Sequence, residues 1–575
     1  MRSLLKYLKD YKKECILAPL FKMLEAVFEL TVPLVVARMI DRGIRNGVSS
    51  VVYISFGTLI LLGIVGLMVS ITAQYFAAKA ATGFSAGLRH DLFRHILSFG
   101  FCDIDNLGTS TLITRMTADV NTLQNGVNMF LRLFLRSPFI VIGAMVMAFT
   151  IDVKSALIFV GVILVLSLVI WFVMSVNIPL LRSGQEKLDV ILRLVRENLS
   201  GVRVIRAFTL EEGQIGDFED ANYELTRIQL KAGRVSGLLN PLTYVIVNLA
   251  IAVLVAAGHH QVSAGILTTG MVVALYNYMS QILLELIKFA NLIVTLNRSF
   301  ASAQRVNEVF DVTPSMSTSG TKDCVYDSPD APAVEFRNVS LRYHESADDA
   351  ITDISFKIER GTSFGIIGGT GAGKSTVAHL IPRFYDATEG EVLVGGLDVK
   401  CIDIRKLRRH VGTVMQKAVL FEGTIRDNLL WADADASDAE IMEAVEAAVC
   451  TDVVEAKGGL DGMIEAGGRN LSGGQRQRLS IARVLVGKPS ILILDDSASA
   501  LDYMTDSKLR TNIANLSYHP TVIIIAQRTV SVEGCDQILV LDDGRTAGLG
   551  KHEDLLKTCD VYSEIYSSIY RKEEG

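Results

Sequence analysis

The fold of the second half of the chain is decided by one stretch, Ser363-Phe-Gly-Ile-Ile-Gly-Gly-Thr-Gly-Ala-Gly-Lys-Ser-Thr376. Its glycine-rich part has the spacing GxxxxGK[ST], follows an apolar strand and precedes a predicted helix. In that context, backbone N–H groups and the helix N-terminus approach phosphate oxygens. The stretch therefore predicts an α/β domain of the P-loop type that binds a nucleotide.

The residues of this loop have distinct expected tasks. Lys374 is expected to bridge the β- and γ-phosphates of ATP, and Ser375 to hold Mg²⁺. Asp495 ends a second apolar strand, 491–494, and is predicted to face the same Mg²⁺. The remaining cradle positions, expected to surround the phosphates, are Gly368, Gly369, Thr370, Gly371, Ala372, Gly373 and Thr376.

Composition indicates a membrane part joined to a soluble part. The chain has 575 residues, which is too long for one core, and half of them are hydrophobic. The mean hydropathy of +0.36 is high for a soluble protein. A net charge of -6 argues against a nucleic-acid partner. The seven cysteines lack metal-ligand spacing and are interpreted as reduced thiols.

Six apolar stretches are long enough to cross a bilayer, which takes about 20 helical residues. They fall near 16–40, 53–78, 129–150, 155–180, 240–258 and 268–292. The two long connections, 80–128 and 181–238, keep helical spacing and are rich in Arg and Lys, so we place them and both termini in the cytoplasm. Turns are expected near 103–117 and 209–221. The sequence thus predicts a multi-pass protein of the plasma membrane.

The predicted fold class is an α-helical membrane domain of six helices with long cytoplasmic extensions, followed by an α/β P-loop ATPase domain. The membrane domain is expected at 1–312. A polar stretch rich in Ser, Thr and Pro, 313–332, is interpreted as a linker, and the ATPase domain is expected at 333–575.

The motif Leu471-Ser472-Gly473-Gly474-Gln475, taken with the P-loop and Asp495, resembles the signature of ATP-binding cassette (ABC) proteins. Nearly the whole chain resembles an ABC exporter half-transporter. The resemblance implies that two cassettes close head to tail. It also implies that Ser472, Gly473, Gly474 and Gln475 complete the ATP site of a partner.

Three further positions are similar to family motifs. Tyr343 resembles the aromatic residue that stacks on adenine. Gln416 resembles the residue that senses Mg²⁺ and the attacking water. The stretch 499–502, Ser-Ala-Leu-Asp, resembles the D-loop.

Two positions depart from the family pattern. Asp496 stands where the family usually has the Glu that polarises the attacking water, and Gln527 stands where it usually has His. Asp is one methylene shorter, so its carboxylate retreats by about 1.5 Å. A misplacement of about 1 Å can cost on the order of 100-fold in rate. Weak hydrolysis is therefore expected at this chain's own site.

The closest resemblance is to the degenerate-site subunit of bacterial heterodimeric multidrug exporters. It implies a non-identical second half-transporter with Glu and His at the positions of Asp496 and Gln527. It also implies membrane lipid as surroundings and a small amphipathic drug or lipid as substrate. A slow homodimeric exporter, or an ATP-gated channel or sensor on the same scaffold, remains an alternative.

Polar residues inside the predicted spans mark a possible substrate path. Ionisable groups there are costly and face a wet cavity or pair with each other. They are Lys22, Glu25, Glu29, Arg132, Arg136, Asn248, Gln281, Glu285 and Lys288.

Overall fold

The computed structural model describes residues 3–316, 330–343, 348–497 and 501–570. Most of the predicted linker and the start of the predicted D-loop lie outside these residues. The chain divides into two compact units. The first comprises Met1–Leu97 and Ser110–Val312, and the second comprises Ser98–Thr109 and Thr313–Gly575.

The region before Val312 is helical. A 3₁₀ segment, Leu4–Tyr11, precedes the first helix, and π segments lie at Met39–Ile44 and Arg115–Asp119. The ten helices are α1 (Lys12–Arg38), α2 (Ser49–Ile96), α3 (Phe101–Leu107), α4 (Thr109–Thr114), α5 (Val120–Leu133), α6 (Arg136–Ile151), α7 (Val153–Ser200), α8 (Val202–Ala207), α9 (Glu211–Ser263) and α10 (Thr269–Asp311).

Five helical segments among the described residues are long and apolar enough to cross a bilayer: α2, the segment Thr109–Ile151, α7, α9 and α10. A 48-residue helix such as α2 is about 72 Å long, which exceeds a hydrocarbon core of about 30 Å, so it must continue beyond the membrane. The first predicted span coincides with α1, whose Lys22, Glu25 and Glu29 lower its hydropathy. The predicted fold class is confirmed, and the crossing by α1 remains a prediction.

Two helix boundaries differ from the expectation. The third predicted span is interrupted at Phe134 and Leu135, between α5 and α6. The second predicted turn is much shorter than 209–221, because α9 already begins at Glu211. The left-handed φ of 52° at Thr209 lets the chain reverse within a few residues.

The short helix α3, from the first predicted turn, packs within the second unit. The Phe101 ring lies 4.6 Å from the Phe384 ring, centroid to centroid. The Tyr385 hydroxyl donates to Asp105 Oδ2 at 2.8 Å. Asp103 Oδ2 accepts from the backbone N–H and the hydroxyl of Ser315, each at 2.9 Å. This helix therefore belongs to the second compact unit, although it precedes residue 312 in the chain.

The second unit contains twelve strands within the described residues. They are β1 (Val334–Leu341), β2 (Ile351–Ile358), β3 (Ser363–Gly368), β4 (Glu389–Val394), β5 (Leu397–Asp398), β6 (Val411–Val414), β7 (Gly423–Thr424), β8 (Met463–Ile464), β9 (Ile491–Asp495), β10 (Thr521–Ala526), β11 (Gln537–Asp542) and β12 (Arg545–Gly550). They form a six-stranded sheet in the order β12-β11-β3-β10-β9-β6, a four-stranded sheet in the order β2-β1-β4-β5, and the pair β7-β8.

Helices complete this unit. They are α11 (Lys374–Leu380), α12 (Ile404–His410), α13 (Ile425–Leu429), α14 (Asp438–Ala447), α15 (Thr451–Ala456), α16 (Gly473–Val486), α17 (Tyr503–Ala514), α18 (His552–Thr558) and α19 (Asp560–Tyr570).

The centre of the six-stranded sheet positions the site. Strands β3, β10 and β9 are neighbours and run parallel. Every residue of β9 is buried, as expected for a parallel strand covered on both faces. Parallel strands end at the same edge of the sheet, so Gly368, Asp495 and Ala526 bring the residues that follow them to one place.

Candidate functional site

A cleft of about 370 Å³ lies at that sheet edge. One glycine-rich loop, the ends of β9 and β10, two residues between β1 and β2, and one residue after β6 contribute to it. Its lining residues are Tyr343, Ala350, Thr370, Gly371, Gly373, Lys374, Ser375, Thr376, Gln416, Asp495, Asp496, Ile525, Ala526 and Gln527. Most of the residues predicted for nucleotide, metal and hydrolysis are thus gathered in one cleft.

The loop before α11 has the backbone shape of a phosphate cradle. Gly371 and Gly373 have φ values of 87° and 88°, in the left-handed region that favours glycine. A Cβ at Gly373 would lie 2.6 Å from the Ile351 side chain, so no other residue fits there. The N-terminus of α11 begins directly after this glycine, with its free N–H groups available to an anion.

Two of the predicted cradle positions also serve packing, and their contact with phosphate remains a prediction. Ala372 is 5% exposed and belongs to the hydrophobic core, so its side chain does not line the cleft. Gly368 ends β3, where a Cβ would lie 2.2 Å from the Leu541 carbonyl oxygen of β11. Sheet packing therefore requires glycine at this position, irrespective of any ligand.

The ammonium group of Lys374 is turned onto its own loop. Lys374 Nζ donates to the carbonyl oxygens of Gly368 at 2.9 Å and Gly369 at 2.6 Å. Burial lowers the pKa of Lys374, and the nearby carboxylates of Asp496 and Asp495 oppose that shift. A phosphate would bring further negative charge to this buried cation, so the site fits the phosphates of ATP.

Two hard oxygen donors lie side by side as Mg²⁺ requires. The Ser375 hydroxyl donates to Asp495 Oδ1 at 3.0 Å, and Asp495 is 2% exposed. Burial raises the pKa of Asp495. A cation held between the hydroxyl and carboxylate oxygens would offset this desolvation. Such oxygen atoms are the ligands that Mg²⁺ prefers.

Sequence reasoning missed a histidine beside this pair. His379 Nε2 lies 3.7 Å from Asp495 Oδ2, and burial lowers the pKa of His379. His379 follows Ser375 by four residues on α11, a spacing that places both on one helix face. That spacing in the sequence could have indicated that His379 lies beside Ser375.

The two departures from the family pattern face each other. Gln416 Nε2 and Gln527 Nε2 each lie 3.4 Å from Asp496 Oδ2. The Asp496 backbone N–H donates to the Ile525 carbonyl at 3.0 Å, and its φ is 44°. The strand end thus directs the Asp496 carboxylate toward two amides that cannot accept a proton from water.

Tyr343 forms the side of the cleft near α11. Its hydroxyl donates to Thr376 Oγ1 at 3.0 Å, and the Tyr385 ring meets its ring edge-on at 5.0 Å. Burial raises the pKa of Tyr343. Contact of this ring with adenine remains a prediction, as does the D-loop, whose Ser499 lies outside the described residues.

The signature residues do not line this cleft. Ser472 caps α16: Gln475 N donates to Ser472 Oγ at 3.2 Å, and Ser472 N donates to Gln475 Oε1 at 2.8 Å. Ser472 and Gly473 are exposed, and Gly474 follows them in the first turn. A preformed, exposed helix N-terminus of this kind can receive an anion from another molecule.

Most of the polar residues predicted in the spans form pairs. Glu285 and Lys288 pair at 2.8 Å, and Arg136 lies between Glu29 and Glu285, 2.8 Å from each. Asn248 donates to the Tyr244 carbonyl of its own helix. These contacts join Glu29, Arg136, Glu285 and Lys288 into one ionic group, whereas Asn248 bonds to its own helix.

Comparisons with known proteins agree with this architecture. The family model "ABC transporter transmembrane region" matches residues 15–286, and "ABC transporter" matches residues 351–499. The uncharacterized ABC transporter ATP-binding protein YfiB of Bacillus subtilis is 34% identical, over 100% of this chain and 99% of that protein. The chain therefore belongs to the ABC transporter family, and its domain order is that of an ABC exporter subunit with a membrane domain fused to an ATPase cassette.

Two further matches bear on the fold and on possible cargo. An ATP-dependent lipid A-core flippase of Bordetella avium is 29% identical, covering 98% of this chain and 95% of that protein. The structure of a bacterial Atm1-family ABC exporter with ATP bound aligns with a TM-score of 0.77 and 23% identity, over 97% of this chain and 98% of that chain. The structural match establishes the fold alone.

Proposed function

We propose that this chain is the degenerate-site half of a heterodimeric ATP-driven exporter that moves amphipathic drugs or lipids outward across the cytoplasmic membrane. The observation that carries the proposal is the arrangement of Asp496 between Gln416 and Gln527, with 3.4 Å from its Oδ2 to each amide nitrogen. The cleft would bind ATP, but the carboxylate of Asp496 would lie too far from the attacking water to act efficiently as its proton acceptor.

Nucleotide binding would use the loop before α11. The N–H groups there would hold the phosphates, Lys374 would swing from its carbonyl partners to the β- and γ-phosphates, and Tyr343 would stack on adenine. Ser375, Asp495 and Gln416 would hold Mg²⁺, which when bound neutralises charge on the phosphates.

Hydrolysis would be slow at this site for a geometric reason. A general base must lie within roughly 2.6–3.2 Å of its water, and a position about 1 Å away can cost on the order of 100-fold. Asp496 is shorter than the usual Glu, and Gln527 can donate to a phosphate but cannot carry a proton. Productive turnover would occur at the partner's ATP, beside a Glu and a His of that partner.

The signature of this chain would serve that productive site. Ser472 and Gly473 lie exposed at the start of α16 and away from the chain's own cleft. In a head-to-tail pair their hydroxyl and N–H groups would complete the cage around the partner's γ-phosphate.

Transport would follow from closure of the cassettes. The turns that contain α3 and the residues between α8 and α9 would pass that motion to the spans. Similarity to a lipid A-core flippase supports a lipid or another amphipath as cargo. ATP binding would open the cavity outward, and hydrolysis at the partner's site would reset it.

Two substitutions with different expected effects on ATPase activity test whether hydrolysis occurs mainly at the partner's ATP. Gly473→Asp places a carboxylate beside the partner's phosphate and should lower steady-state ATPase activity of the purified assembly by about 100- to 1,000-fold. Asp496→Ala should lower it only several-fold. A Cβ at Gly473 meets nothing within 4 Å, so this variant should fold. Gly534, exposed and equally unobstructed, gives the matched control Gly534→Asp.

An equal or larger loss of ATPase activity in Asp496→Ala than in Gly473→Asp would contradict the proposal. If Asp496→Ala is as damaging as Gly473→Asp, this chain hydrolyses its own ATP and a slow homodimer explains the activity. Purification without any second half-transporter would point the same way.

A further inference from the structure

Three helices of the first unit meet at one buried ionic group. Arg136 Nη2 lies 2.8 Å from Glu29 Oε1 on α1, and Arg136 Nη1 lies 2.8 Å from Glu285 Oε1 on α10. Lys288 Nζ donates to the same Glu285 oxygen at 2.8 Å, and the Ser137 hydroxyl donates to Glu285 Oε2 at 2.8 Å. We call the chain of charges Glu29, Arg136, Glu285 and Lys288 the ionic row.

The charges of the ionic row lie at similar distances from the ends of three helical segments. Asp41 Oδ1 accepts from the Gly270 N–H at 2.8 Å, so the π segment Met39–Ile44 that follows α1 meets the start of α10. Glu29 precedes Ile44 by 15 residues, Arg136 precedes Ile151 by 15, and Glu285 follows Thr269 by 16. At about 1.5 Å per residue, each lies about 22–24 Å along the chain from that residue. With these three helix ends placed at one face of a hydrocarbon core of about 30 Å, the row would lie close to the opposite head-group layer.

The charges of the row alternate, and only its ends are open. The two middle side chains are 7% exposed for Arg136 and 4% for Glu285. The end side chains are 40% exposed for Glu29 and 46% for Lys288. The row therefore exposes the carboxylate of Glu29 at one end and the ammonium of Lys288 at the other, with the buried pair of Arg136 and Glu285 between them.

From this arrangement we propose that the ionic row binds a zwitterionic phospholipid head group, with the lipid ammonium at Glu29 and the lipid phosphate at Lys288. The assignment rests on the proposed function, and it names the class of amphipath that this half would take. A head group with both charges satisfies both ends of the row.

Charge balance selects against amphipaths that carry a single charge. The ionic row and the neighbouring pair of Lys22 and Glu25, whose Nζ and Oε2 atoms lie 2.5 Å apart, contain equal numbers of acids and bases. The acids are Glu25, Glu29 and Glu285, and the bases are Lys22, Arg136 and Lys288. A simple cation would match Glu29 but leave Lys288 without a partner from the ligand, and a simple anion would do the reverse. Ionic groups in the hydrocarbon region are costly, which favours a ligand that satisfies both ends.

Lipid competition provides the test. The purified assembly would be equilibrated with equal amounts of phosphatidylethanolamine and phosphatidylglycerol, delipidated, and its retained lipid measured by mass spectrometry. Phosphatidylglycerol keeps the phosphate but lacks the ammonium. We expect wild type to enrich phosphatidylethanolamine by about tenfold, the size of one charge-assisted hydrogen bond.

Side-chain variants separate the two ends. Glu29→Gln should abolish the preference between the two lipids, and Glu29→Asp should restore part of it. Lys288→Met should lower retention of both lipids and leave their ratio unchanged. Glu186, paired with Arg182 on the exposed surface of α7, gives the control Glu186→Gln, which should behave as wild type. Size-exclusion profiles and ATP binding report folding of each variant.

Several results would overturn the assignment. They are no preference in wild type, a preference for phosphatidylglycerol, stronger retention of a cationic amphiphile than of either lipid, or an unchanged ratio in folded Glu29→Gln. Displacement by soluble glycerophosphoethanolamine would assign the site to free head groups instead of lipid. If the enrichment holds but ATP moves no lipid, the site stands and the proposed export function fails.

Discussion

Restoring the usual carboxylate and imidazole should activate this chain's own site. Asp496→Glu adds one methylene and extends the carboxylate by about 1.5 Å, and Gln527→His removes one of the two amides that lie 3.4 Å from it. Because a base misplaced by about 1 Å can cost on the order of 100-fold, the double substitution should raise hydrolysis at this site by about 10- to 100-fold.

Single-turnover hydrolysis isolates the effect. The assembly would carry Ser472→Ala and Gly473→Asp in this chain, which disables the site that its signature serves, and would be mixed with less than one equivalent of labelled ATP. Asp496→Asn is the matched control, since it keeps the size of the side chain without a basic oxygen pair. The reasoning is refuted if Asp496→Glu with Gln527→His leaves the rate unchanged while Asp496→Asn lowers it by about 100-fold, because Asp496 would then be a working base.

Two further outcomes are expected. Lys374→Ala should weaken ATP binding at this site by at least about tenfold, because the phosphates lose their buried cation; equal ATP occupancy in equilibrium binding would count against the assignment. Phe208→Asp should leave ATP binding intact but uncouple ATPase activity from transport, because Phe208 is 69% exposed at the turn before α9. Leu199→Asp, at 72% exposure on α7, is the control, and equal loss in both variants would argue against a coupling role for the turn.

Local motifs made most of the ATP cleft predictable. The glycine spacing before Lys374 and the apolar strand ending at Asp495 each specify a short backbone segment, and parallel strands bring such segments to one edge. Long apolar stretches likewise predicted the membrane helices, because length and hydropathy are properties of contiguous residues. The helix face shared by Ser375 and His379 was readable from spacing as well, and it was missed.

Other features depended on neighbours far away in the chain. The Ala372 side chain packs in the hydrophobic core, and Gly368 is required by the backbone of β11 at Leu541. The helix α3 follows a membrane span in sequence, yet aromatic contact with Phe384 and the hydrogen bond from Tyr385 include it in the ATPase unit.

By itself, the sequence determined the classes of both domains, the phosphate-binding loop, and the substitution of Asp496 and Gln527 for the usual pair. Only the tertiary structure decided which charges meet: Arg136 lies 107 residues from Glu29 and 149 from Glu285. The reason is physical. Motifs and spans follow from backbone chemistry and hydropathy over contiguous residues, whereas ion pairs depend on how whole helices pack and on which polar groups that packing removes from water.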